Sequence, residues 1–296
     1  MSGSVFTLRD VSRHRPGGEG EGQGGFSLRA PKLSIRAGSK VALVGASGCG
    51  KSTLLDMLAM VLKPDEASLF SFAPKGQAGI DVAKAWRSNK QNRLGRMRMR
   101  SIGYVLQTGG LFPFLTVRDN IAITRRGLGL PRQNKVEELA ERLGIARYLD
   151  KKPDKLSVGE RQRVAIARAM AHEPAVVLAD EPTAALDPIT ADEIMELFTE
   201  LVEEKAMTLV VATHDWEGVQ AGGFTRVCFK LDRNSARGHV LATVVPDAQC
   251  PDAVNEEFDG YTEPEGEPES VPEQEPDREP DAASGEEPVE GQEAGA

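Results

Sequence analysis

The sequence is poor in cysteine and in aromatic residues, and it contains no long apolar run. Among 296 residues, three are cysteines and 5% are aromatic. Cys49, Cys228 and Cys250 have no metal-ligand spacing and cannot all pair within one chain. Together with the phosphate-binding motif described below, they indicate a reducing compartment, the cytoplasm. No run approaches the ~18 apolar residues that cross a bilayer, and the N-terminal residues lack the charged and apolar regions of a signal peptide, so we expect any membrane role to come through a partner.

Charge is distributed unevenly along the chain. The net charge is −9, but residues 247–296 contain 18 acidic residues and one basic residue, which leaves a net charge of +8 on residues 1–246. A basic core suits phosphate ligands or an anionic membrane surface, although an excess of Lys and Arg is more often a solvated face. Beyond Pro246, Pro/Glu repeats replace apolar residues, and we predict that residues 247–296 are a disordered tail.

One stretch, GASGCGKST at residues 45–53, carries the strongest signal. Its spacing fits a phosphate-binding loop, whose glycines let backbone N–H groups close around the phosphates of a nucleotide. An apolar strand precedes the loop and a helix follows it, so the helix N-terminus faces the anion. The alternative is a Gly-rich turn that only joins strand to helix. The predicted phosphate-binding residues are Gly45, Ala46, Ser47, Gly48, Cys49, Gly50, Lys51, Ser52 and Thr53.

Strands alternate with helices over most of residues 1–246. Apolar runs end in polar groups at three places: at Gln107, at Asp180-Glu181 and at His214. This alternation predicts an α/β domain whose mostly parallel sheet is covered on both faces. Two carboxylates at the end of a buried strand are costly unless they have a function. A lone strand-end glutamine or histidine is more often structural.

A further motif, LSVGE at residues 156–160, completes an ordered set of five elements. In the order GASGCGKST, Gln107, LSVGE, VVLADE and His214, the chain closely resembles the ATP-binding-cassette (ABC) ATPases over about residues 4–232. The resemblance implies a P-loop NTPase fold with an antiparallel β subdomain and an inserted helical subdomain at about residues 107–172. It also implies that ATP is hydrolysed with Mg²⁺.

The resemblance assigns a role to each motif. Ser52, Gln107 and Asp180 would contact Mg²⁺, and Gln107 would also contact the attacking water. Glu181 is placed to polarise that water as general base, and His214 looks like the histidine that touches the γ-phosphate.

The matching family motif for LSVGE reads LSGGQ, so Val158 replaces a glycine and Glu160 a glutamine. In this family Ser157 and Gly159 would bind the γ-phosphate held by the opposite subunit, so the active form should be a homodimer. The family usually stacks an aromatic residue on adenine near the N-terminus. Here residues 11–15 offer only His14 or the plane of an arginine.

Sequence around Gln107 is most similar to the lipoprotein-release, macrolide-efflux and cell-division branch of the family. That similarity implies a separate membrane permease and a location at the inner face of the membrane. Transport and mechanical signalling to envelope enzymes remain alternatives. No nucleic-acid partner is expected, because DNA-repair and translation relatives usually carry a coiled-coil insertion or two cassettes.

Two further segments have alternative interpretations. Residues 81–100 predict a basic helix, which is a phosphate or lipid contact or, more plainly, a solvated face. The apolar loop 109–115, with Phe112 and Phe114, is either a docking site for the permease or part of the core.

Overall fold

The computed structural model describes residues 3–16, 25–131, 134–220, 222–234 and 239–250. The predicted disordered tail lies outside these residues except for its first four. The strands are Ser4–Arg15 (β1), Phe26–Arg36 (β2), Lys40–Val44 (β3), Leu69–Phe72 (β4), Ile80–Asp81 (β5), Ile102–Val105 (β6), Val176–Asp180 (β7), Thr208–Thr213 (β8), Thr225–Asn234 (β9) and His239–Pro246 (β10). The α-helices are Lys51–Leu58 (α1), Val82–Arg87 (α2), Gln91–Ser101 (α3), Val117–Gly127 (α4), Lys135–Arg142 (α5), Val158–Met170 (α6), Pro188–Glu204 (α7) and Trp216–Gln220 (α8).

The strands form one sheet in the order β5-β4-β1-β2-β10-β9-β3-β8-β7-β6. Strands β9, β3, β8, β7 and β6 are mutually parallel, whereas β1, β2, β4 and β5 pair in antiparallel fashion. The predicted α/β fold, with a mostly parallel part and an antiparallel part, is confirmed. The carboxyl ends of parallel strands share one edge of the sheet, so the residues that follow β3, β6, β7 and β8 are brought together.

Two apolar cores cover the sheet, one on each face. Leu43 of β3 belongs to the core that includes α1, while its neighbours Ala42 and Val44 belong to the core that includes α6 and α7. Burial on both faces explains why the central strands read as unbroken apolar runs instead of alternating patterns.

Side-chain caps fix where three helices begin. The side chains of Thr116, Ser157 and Asp187 accept hydrogen bonds from backbone N–H groups in the first turns of α4, α6 and α7. Each cap satisfies a donor that has no partner within its helix. Helix α6 begins inside the LSVGE motif, because its cap is Ser157.

A close joint connects α6 to β6. A Cβ atom on Gly103 of β6 would lie 2.1 Å from the carbonyl oxygen of Ala169 in α6. Just beyond the helix, buried His172 has its ring Nε2 3.2 Å from the carbonyl oxygen of Ile102. The helix that starts at the LSVGE motif therefore packs directly against the strand that leads to Gln107.

The single basic helix predicted over residues 81–100 is wrong. Asp81 caps α2 by accepting a bond from the backbone N–H of Lys84, and the chain leaves α2 through Asn89, whose φ is 51°. A left-handed residue cannot continue an α-helix, so a second helix, α3, starts afterwards. Over the described residues, no helix is both long enough and apolar enough to cross a membrane.

Two of the three cysteines are paired, which the residue count did not predict. Cys228 of β9 forms a disulfide with Cys250, and Cys49 is the free cysteine. Counting residues could not reveal this pair, because the sequence alone does not show the short 3₁₀ turn Asp247–Gln249 folding back on β9. That turn brings the two Cα atoms to 5.5 Å, within the usual range for a disulfide.

Candidate nucleotide-binding site

The conformation of the loop after β3 depends on its glycines and on Lys51. Gly50 has φ of 101°, and an added Cβ there would lie 2.9 Å from the ring of Phe26, so conformation and space both require glycine. The ammonium of Lys51, only 4% exposed, donates to the carbonyl oxygens of Gly45 at 2.7 Å and Ala46 at 3.2 Å. The loop therefore holds a buried cation over its own backbone at the start of α1, where anions are stabilised.

Asp180 lies at the end of β7, beside the hydroxyl of Ser52. Burial raises the pKa of Asp180, and the nearby charges of Glu181 and Asp56 add to this, while a hydrogen bond from Ser52 and the charge of Lys51 oppose it. Its Oδ1 atom is buried and has no hydrogen-bond partner. A buried carboxylate oxygen without a donor is costly, so this position fits a cation.

The chemistry of these donors suits Mg²⁺. Carboxylate and hydroxyl oxygens are the hard ligands that this ion prefers. Within the described part of the chain, no group of three or more His, Cys, Asp or Glu residues is placed to hold a metal. An ion held by Ser52 and Asp180 would therefore take its remaining ligands from phosphate and water, as Mg²⁺ commonly does.

Glu181 is the point at which the predicted catalytic side chains meet. Its Oε1 atom is 3.4 Å from Nζ of Lys51 and 3.8 Å from Nδ1 of His214, and its Oε2 accepts a 3.2 Å hydrogen bond from Nε2 of Gln107. The backbone N–H of Glu181 donates to Ala212 on the neighbouring strand β8. Three strand ends thus deliver Gln107, Glu181 and His214 to one place.

The backbone of Glu181 adopts an uncommon conformation. Its φ is 43°, in the left-handed region that few non-glycine residues occupy. Such strain persists only where the surroundings impose it, and it concentrates at functional sites. Here it turns the carboxylate, with 18% of the side chain exposed, from the strand end toward Lys51.

The LSVGE motif forms a complete capping box. Ser157 Oγ accepts a bond from the backbone N–H of Glu160, and the Glu160 carboxylate accepts one from the backbone N–H of Ser157. Hydrogen bonding by Tyr148 and by Ser157 lowers the pKa of Glu160, which stays ionised in this role. Glutamate thus caps the helix where the family motif has glutamine. The O–H of Ser157 remains a donor, since its oxygen acts as acceptor in the cap.

Val158 does not disturb this turn, although the family motif has glycine at that position. It occupies the first position of α6 and leaves 46% of its side chain exposed. Ile189, at the start of α7, is 75% exposed. Gly159 of α6 faces α7, and an added Cβ on it would be 3.3 Å from the methyl group of Thr190. The N-terminal ends of α6 and α7 thus each carry an exposed aliphatic side chain.

A cleft of about 380 Å³ opens beside the phosphate loop and reaches the β1–β2 hairpin. It is lined by Arg15, Phe26, Ser47, Gly48, Gly50, Lys51, Ser52, Thr53, Gln107 and Glu181. The sequence interpretation considered an arginine plane here but missed Phe26. The signal was the hairpin register, in which Arg15 is the cross-strand partner of Phe26. His14, the other candidate, turns away and lies 2.9 Å from Ser27 Oγ.

Ser157 and Gly159 do not line this cleft. Within the one chain they lie on α6, away from the groups that gather at Glu181. The structure therefore brings together the predicted phosphate loop, Asp180, Glu181, Gln107 and His214. It leaves Ser157 and Gly159 outside this cluster.

The loop after Gln107 exposes its aromatic residues. Phe112 and Phe114 are 39% and 69% exposed, and their ring centroids are 5.7 Å apart. Arg168 of α6 holds the base of this loop by donating to the carbonyl oxygens of Gly109 and Gly110, each at 2.7 Å. Core packing, which was one of the two interpretations of the rings, does not describe them in this chain.

Comparisons with known proteins agree with this geometry. A family model described as ABC transporter matches residues 28–184. An uncharacterized ABC transporter ATP-binding protein of Thermotoga maritima is 40% identical over 199 residues, covering 66% of this chain and 80% of that protein. LolD, a lipoprotein-releasing system ATP-binding protein of Rhodopseudomonas palustris, is 38% identical over 216 residues, covering 72% and 88%.

Two more similarities extend the comparison. The macrolide export ATP-binding/permease protein MacB of Rhodopirellula baltica is 40% identical over 195 residues, which cover 64% of this chain and 27% of that protein. Among solved structures, the dimeric ATP-binding cassette MJ0796 in a post-hydrolysis state bound to ADP and Pi is 31% identical, with a TM-score of 0.64 over 79% of this chain and 96% of that one. The resemblance inferred from the motifs is confirmed.

Proposed function

The chain belongs to the ABC transporter family as an ATP-binding protein, and from that premise we propose that it is the ATP-hydrolysing subunit of a transporter whose permease is a separate membrane protein. One observation carries this proposal. Lys51 of the phosphate loop, Gln107 and His214 all lie within 4 Å of the Glu181 carboxylate. A general base, a water-orienting amide and a phosphate-binding cation occupy one place, which is what hydrolysis of a bound triphosphate requires.

Each side chain has a defined task in this proposal. The loop amides and Lys51 bind the phosphates, and Ser52 and Asp180 would hold Mg²⁺. The ion would neutralise charge that develops on the phosphate oxygens. Glu181 takes a proton from the attacking water while Gln107 orients that water, and His214 contacts the terminal phosphate. The phosphate in turn displaces Lys51 from the carbonyl oxygens of Gly45 and Ala46 that it contacts here.

The second half of each site comes from a second copy of the chain. Ser157 and Gly159 lie at the N-terminus of α6, which favours an anion, yet they do not line the cleft of their own subunit. The exposed side chains of Val158 and Ile189 flank them and would be covered when two subunits close. We therefore place ATP between the phosphate loop of one subunit and the LSVGE motif of the other.

Mixing two inactive variants tests this arrangement. Lys51→Ala removes the phosphate-binding cation, and Gly159→Asp places a negative charge where the γ-phosphate would dock. Each protein alone should hydrolyse ATP at least about 100-fold more slowly than wild type. A mixed dimer has one site in which both halves are intact. An equimolar mixture should therefore recover about a quarter of wild-type activity if the two sites act independently in symmetric dimers.

Three outcomes would contradict this proposal. Wild-type hydrolysis by Gly159→Asp alone would show that the motif does not contact the phosphate. Failure of the mixture to recover activity, with mixed dimers demonstrated by cross-linking, would show that both halves of a site belong to one subunit. If the specific ATPase activity of the wild type did not change on dilution, ATP-dependent dimerisation would be excluded as a step.

The permease is proposed to dock on the loop that carries Phe112 and Phe114. Two exposed rings form an apolar surface of the kind that anchors protein interfaces, and Arg168 ties the loop to α6. A partner that moves this loop would move Gln107, which lies five residues before Phe112. In this way the subunit would be peripheral at the inner face of the membrane, through its permease.

Alanine variants at Phe112 and Phe114 test the docking surface. Co-purification with a co-expressed candidate permease should fall at least tenfold for the double variant, as expected for removal of two interface anchors. ATP binding should stay within about twofold of wild type. Val61→Ala, at another exposed apolar residue, is the control and should leave co-purification unchanged. Loss of thermal stability with an unchanged permease yield would refute the assignment.

A further inference from the structure

We infer that Cys228 and Cys250 form a thiol-reversible clamp that holds the start of the acidic C-terminal segment against the nucleotide-binding domain. The two residues lie 22 positions apart and are joined by a disulfide. Cys228 is in the middle of β9, where its neighbours across the sheet are Val245 of β10 and Val44 of β3. Cys250 follows the 3₁₀ turn Asp247–Gln249, called the terminal turn below.

The terminal turn has little else to hold it. None of its residues is buried, and it follows directly on β10, which ends at Pro246. Among the described residues, the side-chain link to β9 besides the disulfide is the Arg226–Asp247 ion pair at 3.1 Å, in which the side chains are 14% and 54% exposed. An ion pair whose carboxylate is exposed to solvent adds only modestly to stability. The position of the terminal turn therefore depends on the oxidation state of the cysteines.

The two cysteine residues differ in exposure. Cys228 is 3% exposed, whereas Cys250 is partly exposed. An external thiolate thus reaches the Cys250 sulfur, and exposed disulfides are the ones that exchange readily. Disulfides in proteins that act in the presence of cytosolic thiols are mostly transient or redox-sensing. This last point rests on the proposed function, which places the chain where ATP is available.

A low-molecular-weight thiol reduces the disulfide by thiol–disulfide exchange. Its thiolate attacks Sγ of Cys250, a mixed disulfide forms, the bond between the two cysteines breaks, and Cys228 leaves as a thiolate that takes a proton from water. A second thiolate attacks the external sulfur of the mixed disulfide and releases Cys250. Two thiols are oxidised to one disulfide, and two electrons reduce the cystine. A low-molecular-weight disulfide drives the reverse reaction.

Reduction should act locally. Cys228 keeps its backbone pairing with strands on both sides, so β9 and the phosphate loop after β3 should be unaffected. Residues 247–250 would lose their covalent attachment. They are followed by residues 251–296, which contain 17 acidic residues and one basic residue. The disulfide thus determines whether residues 247–250, which precede this strongly charged segment, are held against β9 or released from it.

The test uses the full-length chain, equilibrated with glutathione disulfide or with excess reduced glutathione. Alkylation after denaturation should modify one cysteine in the first sample and three in the second, as read by mass. Amide exchange over residues 247–250 should speed up about tenfold or more on reduction, as local opening requires. Exchange in β3 and β9, and the rate of ATP hydrolysis, should stay within about twofold of the oxidised protein.

Two variants make the result specific. Cys250→Ser should show the fast exchange in both conditions, whereas Asp247→Asn, which weakens the ion pair but keeps both cysteines, should still respond to glutathione. Three modified cysteines in the glutathione-disulfide sample would overturn the clamp. So would a cystine that reduced glutathione cannot open in the folded protein, or equal exchange in the two states. The ATPase mixing experiment is independent of these readouts, so failure here leaves the proposed function intact.

Discussion

Acidification should weaken the joint between α6 and β6 through one buried histidine, His172. Its ring is 7% exposed and its Nε2 faces the carbonyl oxygen of Ile102 at 3.2 Å, while Nδ1 is buried without a hydrogen-bond partner. Burial lowers the pKa of His172 to about 4; the bond to Ile102 opposes this shift, and the charge of Arg125 adds to it. The folded protein therefore keeps this ring neutral.

The size of the effect follows from the two pKa values. In the unfolded chain histidine titrates near 6.5, so below that pH the unfolded state binds a proton that the folded state does not accept. Stability from this group is fully present above about pH 6.5 and is lost as the pH falls toward about 4. The loss amounts to about 2 kcal/mol at pH 5, or about 30-fold in the unfolding equilibrium constant.

Urea unfolding at pH 7.5 and pH 5 measures this loss. In His172→Gln the amide can still donate to Ile102 but cannot titrate, so its stability should fall about 2 kcal/mol less than that of wild type between the two pH values. Ile166→Val, a change in the same core without a titratable group, should be less stable at both pH values yet keep the wild-type difference. An equal difference in His172→Gln and wild type would refute the reasoning.

Two further pairs of substitutions test packing and base recognition. Gly103→Ala should lower the free energy of unfolding by at least about 3 kcal/mol, because the new methyl group would lie 2.1 Å from a carbonyl oxygen. In the control Gly95→Ala, in α3, the nearest atom is 4.0 Å away, so this change should be neutral or stabilising. Equal effects of the two changes would contradict close packing of α6 against β6. Phe26→Ala should weaken ATP binding about tenfold by loss of base stacking, and Arg15→Tyr should strengthen it, while tripolyphosphate binding stays unchanged in both. Unchanged ATP affinity in both variants would show that the base lies elsewhere.

Much of the site could be predicted because its residues follow apolar runs. Gln107, Glu181 and His214 each come at or just beyond the end of a buried strand, and parallel strands bring such ends to one edge. The phosphate loop could be predicted because its glycines, Lys51 and Ser52 have a fixed spacing between a strand and a helix. The local sequence was therefore sufficient to predict which residues meet at the site.

Features that depend on non-local register could not be predicted in this way. Phe26 enters the cleft because β1 and β2 pair so that it faces Arg15, which no local pattern reveals. The disulfide depends on the terminal turn returning to β9. The interruption between α2 and α3 depends on the left-handed conformation of Asn89, which competes with a helical charge pattern that continues through it.

Substitution of Glu181 by glutamine tests the central claim most directly. The amide keeps the size of the side chain and its contact with Gln107 but cannot accept the proton of the attacking water. Phosphate release should slow by about 10² or more while ATP binding persists, and an ATP-bound dimer should accumulate in size-exclusion chromatography. Lys51→Ala should instead weaken ATP binding itself. Unchanged hydrolysis by Glu181→Gln would show that this carboxylate is not the general base.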